Sequence, residues 1–162
     1  INIVVKNLTK KEGDVMNDFK ENVFIDLLTT CQLVKKMYSE LEKKYYINFI
    51  QLAIIFLSGT RNMTVSNLAE ELNVSKSAIS QALVKLFIMK YVTKVAADEN
   101  KKSFYILPVK KGITIKEEMM ALIKKRNGEI EKLMGTENAN QFGLLLETLN
   151  ETLESINNEG GE

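Results

Sequence analysis

TVSNLAEELNVSKSAISQALVKLFIMKYVTKVAADENKKSFYILPVKKG, residues 64–112, is the stretch whose reading decides the fold. Thr64 suits an N-cap, and Val65, Leu68, Ala69 and Leu72 recur at helical spacing, which predicts a short helix with one apolar stripe. Asn73 and Val74 make a turn. Ser75 caps a second helix in which Ala78, Ile79, Ala82, Leu83 and Leu86 share one face. The other face carries Lys76, Ser77, Ser80, Gln81 and Lys85, and no acidic residue occurs between Ser75 and Thr93. A solvated helix face usually mixes carboxylates with lysines to form i,i+4 pairs, whereas a helix lying in a DNA groove must keep acids away from phosphate. The spacing and the missing acids together point to a DNA-reading helix.

Tyr91–Ala96 and Ser103–Leu107 are rich in aromatic and β-branched residues and flank a polar loop, Ala97-Asp98-Glu99-Asn100-Lys101-Lys102. This predicts a β-hairpin with a basic tip, whose Lys101 and Lys102 reach the DNA backbone or the minor groove. The plainer alternative is an edge hairpin whose lysines only discourage aggregation. Helix, turn, helix and wing in this order favour the first reading.

These residues resemble the winged helix-turn-helix of the MarR family of bacterial transcription regulators, and the similarity runs from about Asn17 to Ile156. The matching residues are Leu68-Ala69-Glu70-Glu71-Leu72, Val74, Ser75, Ser80 where the family usually has Thr, Leu86 and Gly112. Asn48-Phe49-Ile50-Gln51 is similar to the family's Leu-Thr-x-x-Gln helix start, with Asn in the capping role. The chain departs from the pattern in the wing, where Asn100-Lys101-Lys102 replaces Asp-x-Arg, at Lys90 in place of Gly, and at Pro108-Val109 in place of Leu-Thr. Lysine lacks the planar fork of arginine and the Asp that would orient it is gone, so wing contacts weaker or less sequence-specific than the family's are expected. The resemblance implies a homodimer with entwined termini and a pocket for a small phenolic or aromatic ligand.

Net charge is only +1 over 162 residues, but it is unevenly spread. Residues 64–112 hold 8 basic against 4 acidic side chains, and residues 113–162 hold 5 against 10. A polyanion is thereby directed to one part of the molecule. The 45% hydrophobic content and the length are those of a soluble domain that needs neither disulfide nor metal. A single cysteine, Cys31, and no signal-like amino end lead to the expectation of a cytoplasmic protein. The longest largely apolar run, Phe49–Leu57, is about half of what crosses a bilayer.

Around residues 48–112, the winged module, the remaining segments read as scaffold. Residues 1–16 form an arm of weak periodicity, with Met16 a candidate start. From Asn17 to Tyr45, Phe19, Val23, Leu27, Thr30, Val34, Tyr38, Leu41 and Tyr45 trace one long amphipathic helix. Asn48–Leu57 is a short helix closed by Gly59 and apolar on most sides, hence central. Beyond Gly112, Met119, Ile123, Arg126, Ile130 and Leu133 mark a helix weakened at Gly128, and Gly135-Thr136 recaps the chain. A last helix sets Phe142, Leu146, Leu149, Leu153 and Ile156 in a four-three seam that calls for a second helix against it. Residues 17–47 and 113–157 are therefore read as a dimerisation region, and residues 158–162 as a polar tail. The fold class expected is mainly α with a small β-hairpin: a winged helix-turn-helix between long N- and C-terminal dimerisation helices.

The chain has no histidine, which excludes Ser-His-Asp catalysis, imidazole metal sites and histidine pH switches, and one cysteine cannot build a structural zinc site. Its 8 glycines form no phosphate loop, so neither an enzyme nor a cofactor is expected. Cys31, beside Leu27, Leu28 and Val34, is expected to be a buried structural thiol; the alternative is a redox sensor, since some family members sense peroxides through a cysteine on the first helix. Met37, Tyr38, Tyr45 and Tyr46 are candidates to line the effector pocket the resemblance implies, or to be core.

The function expected is a homodimeric regulator, most simply a repressor, with two recognition helices on a pseudo-palindromic operator. The competing reading is a dimeric winged-helix adaptor that has lost specific DNA binding and takes a protein partner, suggested by the eroded wing and by the apolar Phe87-Ile88-Met89. Under the first reading those three are core contacts of the helix end.

Overall fold

The computed structural model describes residues 15–97 and 103–159, and in it the chain divides into two compact units, Ile1–Ala53 and Ile54–Glu162. The first unit holds α1 (Val15–Met37), α2 (Ser39–Tyr45) and the start of α3 (Phe49–Ser58). The single long helix expected over residues 17–45 is broken at Tyr38. There the backbone tightens, the Tyr38 N–H donating to the Lys35 carbonyl at 3.1 Å, while the Tyr38 ring packs on Phe49 with centroids 5.4 Å apart. The aromatic contact holds Tyr38 and interrupts the regular ladder. α3 starts on a reciprocal cap: the Gln51 backbone N–H donates to Asn48 Oδ1 at 2.9 Å, and the Asn48 backbone N–H to Gln51 Oε1 at 3.0 Å. Asparagine does here what Thr does in the family pattern. Along α3, Gln51, Leu52, Ile54, Ile55 and Ser58 are buried, as its apolar character predicts. It closes with the Gly59 N–H on the carbonyls of Ile55 and Phe56.

The second unit continues with α4 (Val65–Glu71), α5 (Lys76–Ile88), β1 (Val92–Ala96), β2 (Phe104–Pro108), α6 (Lys110–Met134) and α7 (Thr136–Glu159). β1 and β2 pair antiparallel, Val92 opposite Pro108 and Ala96 opposite Phe104, and Met63 bridges to Ile106 on the free side of β2. Pro108 ends the strand, where its missing N–H costs no ladder bond. Buried side chains are contributed by α3 (Ile54, Ile55), α4 (Leu68, Ala69), α5 (Ile79, Leu83, Leu86), the hairpin (Val92, Ile106) and α6 (Ile115, Met119). The hairpin packs against α4, α5 and α6, so one apolar centre orients both the second helix and the wing.

α6 begins at Lys110, earlier than expected, and Gly112 lies buried in its first turn. The helix runs through Gly128 without a break to Gly135. Every described side chain of α7 is exposed or half-buried within the chain; Phe142, Leu144, Leu145 and Ile156 are among its exposed apolar residues. Helical structure reaches Glu159, beyond the expected start of the tail. No helix among the described residues is long and apolar enough to cross a membrane, and no group of side chains there has the make-up of a metal site.

Candidate nucleic-acid interface

Among the described residues, three helix ends share one device. In each, a residue one or two positions past the helix takes a left-handed conformation without being glycine: Tyr46 at φ 54°, Asn73 at φ 49° and Lys90 at φ 56°. The following N–H then reaches back five residues: Ile47 to Glu42, Val74 to Ala69 and Tyr91 to Leu86, at 2.9–3.1 Å. This is the Schellman arrangement that normally selects glycine. Its use at Asn73 turns the chain sharply from α4 into α5, and its use at Lys90 turns α5 into the wing. Asparagine tolerates the left-handed region; lysine does so at some strain.

The helix starts are as firmly set. Thr64 Oγ1 accepts the Asn67 N–H at 3.2 Å while Asn67 Oδ1 accepts the Thr64 N–H at 3.1 Å, a capping box on α4. Ser75 Oγ accepts the Ala78 N–H at 3.1 Å and starts α5. Arg61 forms an exposed ion pair with Glu71, tying the loop before α4 to its last turn.

α5 turns its two faces as the spacing predicts. Ile79, Leu83 and Leu86 are buried, with Ala78 and Ala82 half-buried beside them, while Ser75, Lys76, Ser77, Ser80, Gln81 and Lys85 are all exposed. At 100° per residue the most outward azimuths belong to Ser77, Gln81, Val84 and Ile88. Val84 is 58% exposed and Ile88 74% exposed. Ile88 is thus not the core contact expected of it, because the same rotation that buries Leu86 carries residue 88 outward. Phe87 and Met89 are half-buried, and the Lys94 ammonium sits 5.1 Å from the Phe87 ring centroid, a cation–π contact joining wing and helix. Val84 is not among the residues the sequence singles out; its spacing from Ser77 and Gln81 is the signal that places it outside. Lys90 and Lys94 are two further exposed cations at the wing's base. An open depression at the α4–α5 corner is lined by Ser66, Glu70, Asn73, Ser75 and Lys76 among others, exposing the start of α5 on that side too.

Lys101 and Lys102 lie outside the described residues. Cys31 is exposed rather than buried, on the same helix as Ile25, Leu28 and Leu33, which are 60–65% exposed. Of the pocket candidates, Met37 and Tyr38 are half-buried, Tyr45 is half-buried under the Lys44 ammonium at 5.2 Å, and Tyr46 is exposed.

A family model described as bacterial regulatory protein, arsR family, matches residues 51–94, the span from α3 into β1. No curated protein matches the chain by sequence. Solved structures resemble it over most of its length. A MarR protein from Peptoclostridium difficile DA00132 is 18% identical over 86% of this chain and 90% of that one, at a TM-score of 0.69. FabT of Streptococcus pneumoniae, solved in complex with DNA, is 21% identical over 85% and 97%, at 0.71. A MarR transcriptional regulator from Methanosarcina mazei Go1 is 14% identical over 84% and 99%, at 0.73. The arsR-type match ends at the first wing strand, whereas the structural likeness takes in the long helices as well. Over 84–86% of its length the chain has the winged helix-turn-helix fold of the MarR regulators.

Proposed function

We propose that this protein is a DNA-binding transcription regulator that works as a homodimer, inserting α5 of each protomer into successive major grooves of a pseudo-palindromic site. The observation that carries the reading is the exposed face of α5. It gathers Lys76, Ser77, Ser80, Gln81 and Lys85, lacks any carboxylate from Ser75 to Thr93, and is fixed in direction by the caps at Ser75 and Lys90. Short hydroxyl and amide groups read base edges, and flanking ammonium groups meet phosphate. Lys101 and Lys102, between β1 and β2 in the sequence, belong to the proposed set of phosphate contacts. FabT, which is similar in fold, was solved on DNA.

The proposed dimer is supported by helices whose apolar side chains stay uncovered. Ile25, Leu28 and Leu33 on α1, Ile130 and Leu133 on α6, and Phe142, Leu145 and Leu146 on α7 are exposed apolar side chains on the elements flanking the winged module. Exposed apolar surface of this extent marks a contact with another chain, and a two-fold pair buries each patch twice. Half-sites then lie about 34 Å apart, one helical turn. Occupation of a promoter by such a dimer excludes polymerase, so repression is the sign of control proposed. A small aromatic effector near Met37, Tyr38, Tyr45 and Tyr46 is a further part of the proposal, tested by whether ligands of that class shift DNA affinity.

Selection of bound oligonucleotides from a random library tests the reading. An enriched palindrome is the expected result; retardation that is blind to sequence and vanishes with salt is the result that favours the adaptor instead. On the selected site, Gln81→Ala relaxes base preference at one position. Lys102→Ala weakens all sequences alike and lowers the salt slope by about one unit per protomer.

A further inference from the structure

We infer that Val84 is a sequence-determining residue, its isopropyl group packing on the C5 methyl of a thymine in the major groove. The inference rests on the reading of α5 as the recognition helix. Val84 occupies the middle of the outward face, one turn from Gln81 and two from Ser77, and is 58% exposed. Its own chain therefore gives it little to pack against, and a β-branched residue loses χ1 freedom in a helix, whereas alanine has none to lose and a long polar residue loses little.

The surroundings specify what covers it. Ser77, Ser80, Gln81 and Lys85 lie within two turns on the same face, all exposed, and Lys76 and Lys85 sit at its edges. Apart from Ile88 one turn on, the exposed neighbours of Val84 on this face are hydrogen-bonding or cationic, so a protein partner would find only a narrow apolar strip bordered by charge, a poor anchor for an apolar contact. Duplex DNA meets it well: the lysines fall toward the phosphates, and the polar side chains fall on base edges. In the major groove the one apolar group a base pair offers is the thymine methyl. A valine has no donor or acceptor, so it cannot read guanine, adenine or cytosine by hydrogen bonding. It can separate thymine from cytosine, or from uracil, by the methyl alone.

The test uses the full chain and the DNA site obtained by selection. Each thymine of a half-site is replaced in turn by deoxyuridine, which removes the methyl and leaves the pairing edge intact. Affinities are measured for the wild type, Val84→Ala and Gln81→Ala. Val84→Ala is expected to fold normally, because the side chain is exposed and alanine favours helix; circular dichroism checks this. For the wild type, one thymine per half-site is expected to show about a fourfold loss of affinity on becoming uridine, the worth of one buried methyl-sized group. That loss disappears in Val84→Ala and persists in Gln81→Ala. Equal uridine penalties in the wild type and Val84→Ala, or no penalty at any position, overturn the assignment while leaving α5 as the recognition helix. If selection returns no preferred site, the recognition-helix reading fails first and the role of Val84 fails with it.

Discussion

Two glycines in α6 should respond to the same substitution with opposite signs. Gly112 is buried in the first turn of the helix, and a Cβ there would stand 2.1 Å from the Tyr91 carbonyl oxygen and 3.0 Å from Pro108 Cβ. The obstacle is backbone, so no rotamer change relieves it. Tyr91 cannot simply retreat, because the same carbonyl accepts the Val109 N–H at 3.0 Å and joins the base of the wing to α6. Overpacking of about 1–3 kcal/mol combines with about 1–3 kcal/mol for a buried bond left unmade, offset by about 1 kcal/mol of helix propensity. Gly112→Ala is thus expected to destabilise by about 3 kcal/mol. For a chain of this size that lowers Tm by roughly 6–12 °C. Gly128, by contrast, is exposed with nothing within 4 Å of a Cβ, so Gly128→Ala should raise stability by about 0.5–1 kcal/mol. Both are measured by thermal and urea unfolding followed by circular dichroism at one fixed protomer concentration, since a dimer's stability depends on it. A Gly112→Ala protein that melts at or above the wild-type temperature would refute the close approach of Tyr91 to α6.

Two other expectations follow from the helix ends and the uncovered helices. Lys90 holds a left-handed conformation at φ 56°, so Lys90→Gly should stabilise by about 1 kcal/mol and leave the secondary structure unchanged; an unaltered or lower urea midpoint would show that lysine is unstrained there. Leu146→Glu, at the seam of α7, removes about 1.5–3 kcal/mol of apolar burial from each side of a two-fold contact, which weakens dimerisation by about 10²–10⁴-fold. Sedimentation equilibrium reads this directly, and a variant that stays dimeric on dilution would remove α7 from the interface.

How much of this protein the sequence determines differs from element to element. The helix starts at Asn48, Thr64 and Ser75 were legible because a cap is a local event: a short polar side chain meets an N–H three residues on. The two faces of α5 were legible for a similar reason, since a fixed rotation per residue converts spacing into direction, and absent acids need no structure to be counted. Other features depended on contacts distant in sequence. The break at Tyr38 belongs to its packing on Phe49, eleven positions away, and periodicity alone carried the helix straight through. Gly112 read as a boundary residue, yet its glycine is demanded by Tyr91, which only the folded wing brings near. Cys31 and Ile88 read as buried because apolar neighbours usually mean a core, whereas burial depends on what the tertiary structure lays against a face. Local hydrogen bonding and helical rotation are thus written in adjacent residues. The covering of a surface is decided by parts of the chain that meet only after folding.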